Sequence, residues 1–143
     1  MRVLGLDLGS RRIGVAVSDP GGLLATPVTV VTRRGDRSAE HRVIAGLVAA
    51  HEAERVVVGL PLSLDGSDGP AALAARAEAV EVGHAVGVPV ELHDERLTTV
   101  TADRLLAEQG LDARARRRVV DQVAAAVLLQ SWLEGPGRRT SGQ

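Results

Sequence analysis

The first thirty-two residues group their apolar positions into short blocks separated by brief polar breaks, a spacing that suits strands rather than helices. Residues 2–8, "RVLGLDL", and 13–18, "IGVAVS", predict two strands joined by "GSRR", a glycine-containing connection of hairpin length. "PVTVVT", residues 27–32, predicts a third. After the polar stretch "RRGDRS" the period changes. Over residues 38–52, Val43, Ile44, Leu47 and Val48 form one helical stripe. "RVVVGL", residues 55–60, is a continuous β-branched run of the kind that marks a strand buried on both faces. The loop "PLSLDGSDGP" leads into an Ala-rich helix from Ala71 to Val86, which Gly87 can terminate. "VPVELHDE", residues 88–95, predicts a fifth strand, and "TTVTADRLLAEQG" a helix closed by Gly110. Residues 115–133 predict the last helix, and "GPGRRTSGQ", residues 135–143, a polar disordered tail.

The order is three strands, helix, strand, helix, strand and two helices. The first three strands can form an antiparallel meander, while strands separated by helices should run parallel through right-handed crossovers. The expected fold is α/β, a mixed five-stranded sheet flanked by helices, as one domain over residues 1–134. No internal repeat or heptad pattern interrupts it.

Composition narrows the picture. A chain of 143 residues can bury a real core, yet it holds one Trp and no Phe or Tyr, so Val, Leu and Ala must fill the interior. The absence of Cys excludes disulfides and thiolate metal sites, and suits a reducing cytoplasm, the expected location. No apolar run reaches the ~18 residues that span a bilayer, and the N-terminus runs into a strand instead of reading as a signal peptide; no membrane partner is expected. Net charge is −1, so bulk charge gives no sign of nucleic acid. All 17 basic residues are Arg, however, and many cluster: Arg11-Arg12, Arg33-Arg34 with Arg37, Arg114 with Arg116 to Arg118, and Arg138-Arg139. Arg forms bidentate pairs with phosphate, although such clusters also suit an ordinary solvated face.

Candidate chemistry begins with Asp7, a carboxylate inside an apolar strand, where an unpaired charge is costly. Glu95 closes the fifth strand, and strands running the same way bring both carboxylates to one sheet edge, where open α/β sheets bind ligands. Asp121 lies on the last helix. Counting by three and four from it gives Ala124, Ala125, Leu128 and Trp132, the face expected to pack on the sheet. Three carboxylates together require cations, and hard divalent ions such as Mg²⁺ prefer oxygen ligands. Each has a structural reading too. Asp7 can accept hydrogen bonds from the hairpin amides, Asp121 can favour a helix dipole, and Glu95 can pair with Arg96 or Arg12.

Four motifs occur in order: "GLDLGSRRIGVAVSD", "VVVGLPLSLDGSDGP", "DERLTT" and "VVDQVAAAVLLQSWL". On these the chain, from about Arg2 to Leu133, resembles the YqgF family, also called RuvX. The resemblance implies a ribonuclease-H-like fold related to the Holliday-junction resolvases, and a metal-dependent phosphodiester hydrolase. It makes Asp7, Glu95 and Asp121 the catalytic metal ligands for a pair of Mg²⁺ or Mn²⁺ ions. The expected substrate is RNA, at the 5′ end of precursor 16S ribosomal RNA, in ribosome biogenesis. Branched DNA cleaved by a junction resolvase is the alternative, and a non-catalytic nucleic-acid-binding module a third, which the three carboxylates argue against. "DLGS" followed by "GVAVSD" also resembles the first phosphate loop of sugar kinases and actin, but those proteins duplicate the sheet and this chain has room for one.

The expected substrate contacts are Gly9, Arg11 and Arg12 in the hairpin, Gly59, Ser67 and Gly69 around the loop after the fourth strand, and Arg96 and Thr98 after Glu95. Glycines let a phosphate backbone come close, and the helix N-terminus offers amide donors. Ser67 or Asp68 can instead cap that helix, and Thr98 or Thr99 the next one. His93 can relay protons or serve structure, and Trp132 reads as core. The residues leave open the cleavage site, the metal preference and whether the chain is a monomer or homodimer.

Overall fold

The computed structural model describes residues 1–98 and 113–135, with side chains over 1–98 and 123–135. Strands β1 (Val3–Leu8), β2 (Arg12–Ser18) and β3 (Ala25–Thr32) form the antiparallel meander. Helix α1 (Arg37–Ala50) leads to β4 (Arg55–Leu60), and α2 (Pro70–Val86) to β5 (Val90–Asp94). Both added strands run parallel to β1, in the sheet order β3-β2-β1-β4-β5. Helix α3 (Ala113–Glu134) follows. The expected mixed five-stranded sheet is therefore what forms.

Strand alternation sorts the core into two layers. Leu4 and Leu6 of β1, Ile13 and Val15 of β2, and Val56 and Val58 of β4 face α1 and α2, where Ile44, Val48, Ala79 and Val82 cover them. Val3, Ala16 and Val57 face the other way, against Ala125, Leu129 and Trp132 of α3. With so few aromatics, close approach replaces bulk. A Cβ on Gly5 would lie 2.8 Å from the Leu129 Cβ, so α3 rests almost on the sheet backbone. Among the described residues no helix is long and apolar enough to cross a membrane.

Several boundaries differ from expectation for local reasons. Helix α1 starts at Arg37 because Asp36 caps it, accepting from the Ala39 amide at 3.0 Å. It ends at Ala50, two residues short of expectation, since the chain leaves the helix at His51 and Glu52 takes a positive φ of 54°. Helix α2 is capped by neither Ser67 nor Asp68. Ser67 donates its hydroxyl to Asp65 at 2.6 Å, and Asp68 pairs with Arg76 at 2.9 Å, so Gly69 takes the N-cap with Pro70 beginning the helix. Its other end is as expected, at Gly87 with φ 72°. Strand β5 stops at Asp94, and Glu95 instead opens a 3₁₀ turn, Glu95–Leu97. The helix expected after Thr98 and the expected tail beyond Gly135 lie outside the described residues.

Helix α3 corrects one expectation that bears on function. Val123 has non-helical backbone angles, φ −124° and ψ 24°, so the helix is kinked there. The residues packed into the sheet core are Ala125, Ala126, Leu129, Trp132 and Leu133. That face is displaced by about one residue from the one counted through Asp121. An unbroken 3.6-residue period was assumed, and the kink breaks it between Asp121 and the packed segment.

Candidate active site

Asp7, the fifth residue of β1, follows Leu6 onto the α3 side of the sheet. Because β1, β4 and β5 are parallel, Glu95, just beyond β5, emerges at the same edge. Strand β4 separates the two, with Gly59 between them. The Asp7 and Glu95 side chains face each other across one cavity, close enough for each carboxyl to shift the other's pKa. Burial raises both. For Glu95, burial, the negative charge of Asp7 and the charge of Asp94 together push its pKa up to about 7.

The surroundings explain how the pair is held. A Cβ on Gly59 would sit 2.5 Å from Glu95 Oε1, so the space left by this glycine is filled by the Glu95 carboxyl. Thr98 donates its hydroxyl to the Glu95 carbonyl at 2.6 Å, anchoring the turn. Thr98 also lines a cavity of about 210 Å³ with Asp7, Glu95, Ala124 and Leu128. Ala124 and Leu128, expected on the sheet-packing face, thus border the carboxylates. His93 Nε2 lies 2.9 Å from Ser131 Oγ, bracing β5 against α3, and burial lowers its pKa; the structural reading of this histidine holds.

Arg96 is engaged. Its guanidinium grips Asp94 at 2.6 Å and donates to the Leu64 carbonyl at 3.2 Å, tying the turn to the loop after β4. Those hydrogen bonds hold the Asp94 carboxyl below its usual range, and Asp94 also accepts from the Arg96 amide. Ser67 sits within that loop, where its carbonyl accepts from Ser63, and a Cβ on Gly69 would lie 3.2 Å from Ser63 Oγ. Gly9 serves the hairpin itself: its amide donates to the Arg12 carbonyl at 3.0 Å, and a Cβ there would lie 2.7 Å from that oxygen. The hairpin amide bonds backbone oxygens, not the Asp7 carboxyl. Arg11 and Arg12 are exposed and carry no ion pair among the described residues. Arg34, which the sequence offered only as part of a cluster, is exposed beside them, because the Arg33 amide donates to the Arg11 carbonyl at 2.9 Å.

Asp121 belongs to α3 on the N-terminal side of the kink, and its side chain lies outside the described residues. Among the described residues no cluster of three or more metal-ligating side chains forms. The two carboxylates still fit a hard divalent cation. They offer only oxygen, they are partly buried, and the Arg96 guanidinium that follows Glu95 is paired with Asp94.

A β3-β2-β1-β4-β5 sheet with helices on both faces is the ribonuclease-H-like arrangement, and Asp7 and Glu95 lie at its carboxyl edge. The fold is shared by T. thermophilus RuvC, solved in complex with a Holliday junction substrate, at a TM-score of 0.56 and 18% identity over 92% of this chain and 91% of that one. The family model described as "RuvX: Holliday junction resolvase" matches residues 1–135. A Myxococcus xanthus (strain DK1622) protein named "Putative pre-16S rRNA nuclease" is 50% identical over 134 residues, covering 94% of this chain and 88% of the relative. A protein of the same name from Anaeromyxobacter sp. (strain Fw109-5) is 52% identical over 135 residues, 94% and 98% respectively. The chain belongs to the RuvX family and is a phosphodiester-hydrolysing nuclease.

Proposed function

We propose that the chain trims the 5′ end of precursor 16S ribosomal RNA in the cytoplasm, with Asp7, Glu95 and Asp121 as the catalytic carboxylates. The observation that carries this reading is the pair of part-buried carboxyls, Asp7 and Glu95, lining one cavity at the sheet edge. The substrate rests on the name of the half-identical relatives. Asp7 and Glu95, with Asp121, would hold two Mg²⁺ or Mn²⁺ ions. Such ions, when bound, supply an activated water and stabilise the departing oxygen.

The protein's own part is positioning. Gly59 leaves room for Glu95 beside Asp7, and Thr98 and Arg96 fix the turn that carries it. Arg11 and Arg12 take flanking phosphates, so binding weakens steeply with salt and reads little sequence. Ser67 and Gly69 shape the loop at the N-terminus of α2, whose free amides face an approaching backbone. The family description favours a second substrate, the four-way DNA junction. Resolvases cut symmetrically as dimers, so the homodimer belongs to that reading and a monomer to the first.

One assay separates them. The protein is incubated with precursor 16S RNA bearing its 5′ extension, and separately with a four-way DNA junction, each with and without Mg²⁺ or Mn²⁺. Metal-dependent shortening of the RNA, lost in Glu95→Gln, is the expected result. Paired nicks in the junction with intact RNA would transfer the reading to resolution, and no metal-dependent cleavage of either would overturn both.

A further inference from the structure

A second cavity, about 440 Å³, begins at Asp7 and runs over β2 and β3 toward the edge of the sheet. Gly14 lies in its floor; Pro27 and Val30 of β3 form one wall, and Val123 and Ala124 of the kinked segment of α3 the other. The register places Asp7, Gly14 and Val30 in one row across three strands, so the groove extends directly from the carboxylate. Its walls are mainly aliphatic, with Thr29 among them. Val30, at 51% exposed, leaves the groove open at the edge strand. One charged group other than Asp7 lines it, Arg12, which has no ion pair among the described residues.

We infer that this groove takes one unpaired nucleotide of the substrate strand next to the scissile phosphate, its base against Val30, Pro27 and Ala124 and its phosphate on Arg12. The inference rests on the nuclease reading and specifies which form of nucleic acid that site accepts. Three features select the occupant. The groove is continuous with the carboxylate cavity, since Asp7 and Ala124 line both, so a strand held at Asp7 must pass into or beside it. Its volume falls in the ~300–1,000 Å³ range of pockets that enclose a small ligand, room for a nucleotide. A mainly aliphatic trough with one polar side chain, Thr29, and a guanidinium without an ion pair among the described residues also matches a base beside a phosphate. A base stacked inside a duplex cannot enter, so the strand must be unpaired there. No aromatic ring lines the groove, so the base is held by apolar contact and shape, and base identity matters little.

Binding is measured by fluorescence anisotropy in the Glu95→Gln background, with three 12-nucleotide probes: an unpaired RNA, the same RNA in a full duplex, and an abasic ribose-phosphate chain of equal length. The unpaired RNA should bind about tenfold more tightly than either of the others. Val30→Trp fills the groove from an exposed edge-strand position that favours aromatic residues. It should weaken the unpaired RNA about tenfold while changing the abasic chain less than twofold. Ala124→Met fills it from the helix side and should act alike, so the test survives if one variant fails to fold. Equal weakening of both probes, no weakening, or duplex binding as tight as unpaired binding would overturn the inference. Incubating wild-type protein and the unpaired RNA with Mg²⁺ or Mn²⁺ tests the nuclease reading separately, because absent cleavage leaves the binding comparison intact.

Discussion

Gly59→Ala tests whether the candidate site depends on the space left by one missing methyl group. The new Cβ would stand 2.5 Å from Glu95 Oε1, 3.1 Å from its Cγ and 3.2 Å from its Cδ. An unstrained carbon contact lies near ~3.5 Å, so the carboxyl must retreat by about 1 Å. It cannot do so freely, since Asp7 faces the carboxyl and Thr98 holds its backbone at 2.6 Å. A misplacement of ~1 Å at a reacting centre costs about 10²-fold in rate. Overpacking costs about 1–3 kcal/mol, partly offset by about 0.4–1 kcal/mol from a stiffer unfolded chain. The expected outcome is kcat lowered about a hundredfold with KM within about twofold, and Tm lowered by only a few degrees. Single-turnover cleavage of end-labelled RNA, alongside a thermal melt, measures both. Glu95→Asp, shorter by one methylene, withdraws from the clash, so adding Gly59→Ala to it should cost much less than adding it to wild type. Wild-type kcat in Gly59→Ala, or strictly additive losses in the double variant, would refute the steric argument.

Three further outcomes follow from groups around the site and beneath it. In metal-free protein Glu95 keeps its proton up to about pH 7, while the unfolded chain releases it near the ordinary value of 4.5. The native state then binds more protons, so stability falls as pH rises through that window. A sealed pair would make this about 3 kcal/mol, and partial exposure screens it to about 1–2 kcal/mol. Urea titrations at pH 5 and 8 should show the loss, Glu95→Gln should flatten it, and Mg²⁺ or Mn²⁺ should restore stability at pH 8. On the opposite sheet face, Glu78 is 5% exposed, 2.9 Å from Arg33 and 2.8 Å from His41. Burial raises its pKa, but the Arg33 and His41 hydrogen bonds and the charges of Arg33 and Arg37 outweigh it and keep the carboxylate ionised. Glu78→Ala leaves Arg33 with Glu40 alone, at 3.3 Å, takes the carboxylate from His41, and should cost about 1–3 kcal/mol by chemical denaturation. Arg96→Ala breaks an exposed clamp, so Tm should barely move, whereas amide exchange over residues 61–69 should rise and kcat/KM fall about tenfold.

Much of this protein follows from local pattern. Alternation and period reveal the five strands, α1 and α2 within a few residues, because a half-buried strand or helix writes its geometry into its own side chains. The position of Asp7 on the edge of β1 follows likewise from strand length and parallel connection. Other features arise only from contacts between distant segments. Gly59 is glycine because Glu95, thirty-six positions later in the chain, needs its space. Arg96 has a side chain suited to phosphate, and it reaches the Leu64 carbonyl, thirty-two positions earlier, only because the loop after β4 folds beside it. The kink at Val123 displaced the packed face of α3 by a residue, since a period read from sequence assumes an unbroken helix. Sequence determines which way each segment turns its apolar side. Tertiary structure decides which polar groups meet, because electrostatics and steric exclusion act through space and chain order does not record them.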